Sequence, residues 1–69
     1  MKISARNVLK GTVKTIHEGA VNDEVVIELP GGEEIVAVVT KSSVEKLGIA
    51  KGKPAYAVIK ASSVMLAVD

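Results

Sequence analysis

Apolar and polar residues alternate along most of this chain with a period of two, the spacing at which successive side chains of a β-strand point to opposite faces. Val8 to Ile16 holds two β-branched runs around Gly11, and a lone glycine inside a strand marks a bulge or a barrel bend. His17-Glu18-Gly19-Ala20 reads as a turn. In Val21 to Leu29 the odd positions Val21, Asp23, Val25, Ile27 and Leu29 form one mainly apolar face, and Asn22, Glu24, Val26 and Glu28 the other. Pro30-Gly31-Gly32 is a turn signal, and Glu33 to Thr40 is the returning strand of a hairpin. The period then changes. Ser42-Ser43-Val44-Glu45 carries the S-x-x-E pattern of a helix start, Val44 and Leu47 share a helical face, and Gly48 supplies a left-handed cap. Lys51 to Pro54 is a further turn, and Ala55–Lys60 and Ser63–Val68 read as two closing strands, with Tyr56 and Met65 as packing residues. The fold class predicted is all-β: five short antiparallel strands with one short helix between the third and fourth, the element order of an OB-type barrel.

Composition narrows this further. The 69 residues form one domain, with no internal repeat, and a chain this short buries only about 60% of its unfolded surface. Small scaffolds need a staple, and without cysteine a disulfide is excluded. Oligomerisation is the remaining source of burial, and 48% hydrophobic residues with 1% aromatic suit flat β surfaces that pack on copies of themselves.

The net charge is +1, with no run of like charges, which argues against a partner held by bulk electrostatics. Single-strand binding by an OB-type barrel uses aromatic platforms and a basic groove, whereas this chain has no Trp, no Phe and one Tyr. With His17 as the only histidine and no cysteine, neither a transition-metal site nor an enzyme's nucleophile–base pair is predicted. Glu33-Glu34 reads as a solvated hairpin flank. The N-terminus lacks the apolar core of a signal peptide, and no run approaches the roughly 18 apolar residues of a membrane span, so the expectation is a cytoplasmic protein with no membrane partner.

Three blocks carry a family resemblance. Ile3-Ser4-Ala5-Arg6-Asn7-x-Leu9-x-Gly11, then Thr40-Lys41-Ser42-Ser43-Val44-Glu45-Lys46-Leu47-Gly48, then Gly52 through Lys60-Ala61-Ser62-Ser63-Val64-Met65-Leu66 are similar, in that order, to the motifs of the molbindins. These are stand-alone molybdenum-pterin-binding (Mop, or TOBE) domains, and the similarity runs over essentially the whole of residues 1–69. The resemblance implies an OB-like barrel that dimerises by exchanging strand contacts, and a homohexamer built as a trimer of dimers. It also implies that molybdate or tungstate is held between subunits, for storage or buffering and without chemical transformation.

A tetrahedral dianion is bound by surrounding its oxygens with N–H and O–H donors while one or two cations offset its charge. Ser4-Ala5-Arg6 offers a hydroxyl, a small residue that lets the backbone approach, and a cation; Lys60-Ala61-Ser62 offers the same set. Thr40, Ser42 and Ser43 bring hydroxyls and the N–H groups of a helix start. By resemblance, Ser4, Arg6 and Lys60 carry the site with backbone help from Ala5 and Ala61, and Thr40 and Ser43 of a neighbouring subunit close it. Ser62 and Asn7 add polar groups, and no side chain ligates the metal directly. The resemblance further implies a second class of oxyanion site near the threefold axis, to which the His17–Asn22 turn could contribute. Without the resemblance, Ser42 is a helix cap, Lys60 a solvated charge and Ser4 part of a free terminus. The competing functions are a single-strand nucleic-acid module and a ligand-free structural oligomer.

Overall fold

The strongest alternation lies in the first part of the chain, and there the longest strands form. The computed structural model describes residues 1–69. It contains β1 (Asn7–Glu18), β2 (Asn22–Glu28), β3 (Glu34–Thr40), α1 (Lys41–Leu47), β4 (Pro54–Ile59) and a single 3₁₀ turn, Ala61–Ser63. The strands make one antiparallel sheet in the order β3-β2-β1-β4. The long strand β1 pairs with β4 along its first half and with β2 along its second, sharing Thr12 between them. This curls the sheet into a half-barrel whose free edges are β3 and β4.

Val13, Val25, Ile27 and Ala57 form the buried core on the concave face, with Ile16, Leu29, Ile35, Val39, Val44, Ile49 and Ala55 packed around them. Between the free edges lies an open cleft of about 520 Å³ with an entirely apolar lining that includes Ile35, Ala37, Val39, Leu47, Ala57 and Ile59. No helix is long and apolar enough to cross a membrane.

Several expectations shift. The expected fifth strand, Ser63–Val68, is not formed within the chain. Ser63 ends the 3₁₀ turn, Val64 is extended, and residues 64–69 join no ladder. A strand needs a partner edge, and this tail meets none; Met65, Leu66 and Val68 are more than nine-tenths exposed. Neither Met65 nor Tyr56 packs inside the barrel. Tyr56 is half-exposed beside the apolar cleft, with the Lys10 ammonium 5.8 Å from its ring centroid. The irregularity in β1 falls between Val13 and Thr15, so Lys14 is the extra residue and not Gly11. Gly11 marks instead a close approach: a Cβ there would lie 2.5 Å from the Glu28 carbonyl oxygen. The first turn is displaced to Gly19–Val21, because β1 continues through Glu18. The Pro30–Gly32 hairpin forms as expected, with Gly32 at φ 94°.

Candidate anion-binding site

Asn7 and Ile59 are the last partners of the β1–β4 ladder, and the Asn7 side-chain amide donates to the Ile59 carbonyl at 3.2 Å. The chain entering β1 and the chain leaving β4 therefore lie side by side. Just past β4, Lys60 caps the 3₁₀ turn, where the Ser63 N–H donates to the Lys60 carbonyl at 2.9 Å. The result is a shallow concavity of about 460 Å³ lined by Ile3, Ser4, Ala5, Arg6, Val58, Lys60, Ala61 and Ser62. It brings together Ser4, Ala5, Arg6, Lys60, Ala61 and Ser62 from the first and last sequence blocks, whereas Asn7 stays outside the lining with its amide on Ile59.

The electrostatics of this concavity are one-sided. Its lining has two cations and no carboxylate. The ion pairs of the molecule are made by Lys14, with Glu28 and Glu34, and by Lys41, with Glu18 and Asp23. Arg6 and Lys60 take part in none of them, so both charges are available to an anion. Ala5 and Ala61 leave the backbone uncovered, and Ser4 and Ser62 add hydroxyls.

Thr40 and Ser43 do not line this concavity. They sit at the β3–α1 junction, where Thr40, not Ser42, is the helix cap. Thr40 is the last residue of β3, paired with Asn22, so the chain turns into the helix there, two residues before the S-x-x-E pattern. The Ser43 N–H donates to Thr40 Oγ1 at 3.1 Å, and the Thr40 hydroxyl donates to Ser43 Oγ at 2.8 Å. With Thr40 donating to it, Ser43 Oγ keeps its own hydroxyl hydrogen for a further acceptor. Gly48, at φ 65°, closes the helix with its N–H on the Glu45 and Val44 carbonyls. Of the expected helical pair, Val44 joins the core and Leu47 remains exposed at the lip of the apolar cleft.

Beside this junction is a pair that sequence reading passed over. Asp23 is 3% exposed, and its Oδ1 accepts from Lys41 Nζ at 2.9 Å and from the Gly19 N–H at 3.3 Å. The hydrogen bond it donates to Asp23 holds the Lys41 ammonium above its ordinary 10.5, aided by the Asp23 and Glu18 charges and opposed by partial burial. The signal was present in the pattern: Asp23 is the one charged residue on the apolar face of β2. Glu34, read as a solvated flank, pairs across the sheet with Lys14, which this bond likewise raises. His17 stands exposed opposite Glu24, and no cluster of metal-ligating side chains occurs.

The TOBE domain family matches residues 3–66. The probable molybdenum-pterin-binding protein of Haemophilus influenzae is 49% identical over 69 residues, covering 100% of both chains. The molybdenum transport protein ModE of Azotobacter vinelandii is 52% identical over 68 residues, which are 99% of this chain but 25% of that protein. Among solved structures, MopII of Clostridium pasteurianum superposes with a TM-score of 0.91 at 43% identity, covering 97% of this chain and 100% of MopII. The cytoplasmic molybdate-binding protein ModG, solved with molybdate bound, superposes with a TM-score of 0.95 at 56% identity, and this chain spans 49% of it. With a family match over nearly its whole length and full-length relatives at this identity, the chain belongs to the TOBE-domain family of molybdenum-pterin-binding (Mop) proteins.

Proposed function

We propose that residues 1–69 act as a single Mop unit that binds molybdate, or its near-isostere tungstate, between copies of itself and stores or buffers the anion unchanged. The observation that carries this reading is the concavity at the end of the β1–β4 ladder. It gathers two unpaired cations, two hydroxyls and two alanines, with no carboxylate to repel a dianion. Arg6 and Lys60 offset the charge, Ser4 and Ser62 donate through their hydroxyls, and backbone N–H groups reach the oxygens past Ala5 and Ala61. At about 460 Å³ and open on one side, the concavity is too wide for one tetrahedral anion to touch donors all round, and a second copy supplies the missing wall. Thr40 and Ser43 of that copy bring the remaining hydroxyls. ModG, solved with molybdate and described as cytoplasmic, supports both the ligand and a cytoplasmic location.

The same assembly resolves the exposed apolar surface. The tail beyond Ser63 is extended and bare, while the cleft between β3 and β4 is apolar and flanked by unpaired strand edges. A tail from a partner copy, added as the fifth strand, completes the OB-type barrel and removes an edge that otherwise invites aggregation. Three such dimers make the hexamer.

Titration calorimetry with molybdate, tungstate and sulfate tests the ligand, and light scattering tests the assembly. Saturable heat with the first two, little with the smaller sulfate, and a particle larger than a dimer are the expected results. No heat with molybdate, or a stable monomer at micromolar concentration, refutes the proposal.

A further inference from the structure

We infer that the ion pair between buried Asp23 and the partly exposed Lys41 is a positioning device for the Thr40–Ser43 hydroxyls, and through them sets the affinity of the assembled protein for its oxyanion. The second half of this statement rests on the proposed function; the first stands on geometry alone.

Helix α1 has seven residues, too few to hold its first turn by helical hydrogen bonding. Its start is fastened from outside instead. The Lys41 N–H donates to the Val21 carbonyl at 3.0 Å, and its ammonium reaches back to Asp23 at 2.9 Å, with Glu18 at 3.7 Å. Asp23 Oδ1 also takes the Gly19 N–H, so one buried oxygen ties the β1–β2 turn, β2 and the helix start together. Residue 41 is thus held at both its backbone and its side-chain end, directly between Thr40 and the serines that follow.

Thr40 uses its oxygen on the Ser43 N–H and its hydrogen on Ser43 Oγ, leaving the Ser43 hydroxyl as the donor still free to bond. The direction of that donor is fixed by the placement of the Thr40–Ser43 turn, which the ion pair anchors. An ion pair with one partner buried and the other partly solvated contributes little net stability, so its contribution is better sought in geometry. Matched by Asp23 and Glu18, the Lys41 charge is also withheld from a bound anion, so the junction presents hydroxyl donors and not a cation.

The test uses the full chain in its native assembly and three variants: K41M, the charge-free double variant D23N/K41M, and the conservative K41R. Molybdate affinity is measured by calorimetry, assembly by light scattering, and the Ser43 amide by hydrogen exchange. In D23N/K41M no buried charge is stranded, so folding is preserved even if K41M fails. The expected result is an affinity about 3- to 10-fold weaker, the scale of one misplaced hydrogen bond, and faster exchange at Ser43. Exchange at Val13 and Val25 and the assembly size stay as in the parent, and K41R restores affinity to within about twofold. Parental affinity and parental Ser43 exchange in the double variant overturn the inference. Absence of molybdate heat in the parent chain overturns the proposed function instead, and the Ser43 exchange then decides the positioning role by itself.

Discussion

Gly11→Ala probes the closest approach in the fold. Gly11 lies in the first half of β1 opposite Ala55 of β4, where β1 crosses close to β2. A methyl added there would stand 2.5 Å from the Glu28 carbonyl oxygen and 2.6 Å from Ile27 Cγ2. Carbon and carbonyl oxygen rest at about 3.3 Å, so the contact is short by about 0.8 Å. The Ile27 side chain is itself buried, and the Glu28 carbonyl belongs to a strand backbone paired at Thr12, so neither yields easily. Overpacking of this kind costs about 1–3 kcal/mol, whereas the loss of glycine's freedom in the unfolded chain returns only about 0.4–1 kcal/mol. With backbone as the obstacle overpacking wins, and the variant is less stable by about 1.3 kcal/mol at mid-range and by up to about 2.6. Urea unfolding is the assay, run at matched protein concentration because self-association shifts the midpoint. The expected result is a lower midpoint with an unchanged slope, and a melting temperature lower by about 4–8 °C per kcal/mol. A variant as stable as the parent would show that β2 can move aside, and the claim that the close approach at Gly11 requires glycine would fail.

Three further outcomes are expected. Lys60→Ala weakens molybdate binding more than Ser4→Ala or Ser62→Ala, because a charge-assisted contact is worth about 1.5–3 kcal/mol against about 0.5–1.5 for a neutral one; calorimetry showing parental affinity removes Lys60 from the site. Thr40→Ala loses the helix cap and about 0.5–2 kcal/mol in urea unfolding, and Thr40→Ser keeps most of it; equal loss in both would mean that the methyl, not the hydroxyl, matters. Lys14 and Lys41 are both raised above 10.5 in the folded chain, so their contribution to stability is fully present below that value and fades as pH rises through the raised ones. Urea midpoints should therefore decline on the alkaline side of about pH 10.5, and less so in K14M/K41M; identical alkaline profiles would contradict the pairing.

What the sequence made legible was local. Alternation located β1 to β4 because each strand has its own face, and Pro30–Gly32 and Gly48 announced a turn and a cap through backbone chemistry that needs no distant partner. The tail was misplaced for the opposite reason: Val64 to Val68 has the composition of a strand, but a strand exists only where an edge receives it. The helix cap was displaced because two hydroxyl residues competed, and the choice fell to the β3 pairing of Thr40 with Asn22. Asp23 was visible as a charge on an apolar face, yet its partner lies 18 residues away and nothing local connects them. The polar concavity shows both sides of this. Ser4-Ala5-Arg6 and Lys60-Ala61-Ser62 are each readable as donor sets, but only the β1–β4 ladder, joining residues 52 apart at Asn7 and Ile59, makes them one surface.

On the proposed reading, the two unfinished parts of this chain are linked. The polar concavity ends in the 3₁₀ turn Ala61–Ser63, and the apolar tail starts at the next residue. A tail docked on a partner therefore holds Lys60, Ala61 and Ser62 at the edge of the interface it creates, within reach of the partner's own surface. The charges run the same way. Each copy brings Arg6 and Lys60 without carboxylate partners, so assembly gathers uncompensated positive charge between subunits, and that repulsion opposes association until an anion neutralises it. A ligand that binds only the assembled form stabilises it by mass action, about 2.7 kcal/mol at a hundredfold excess over its dissociation constant. The apolar tail supplies association that does not depend on the anion, and the cations supply association that does. Binding and assembly are then reciprocal: the interface creates the site, and the occupied site strengthens the interface.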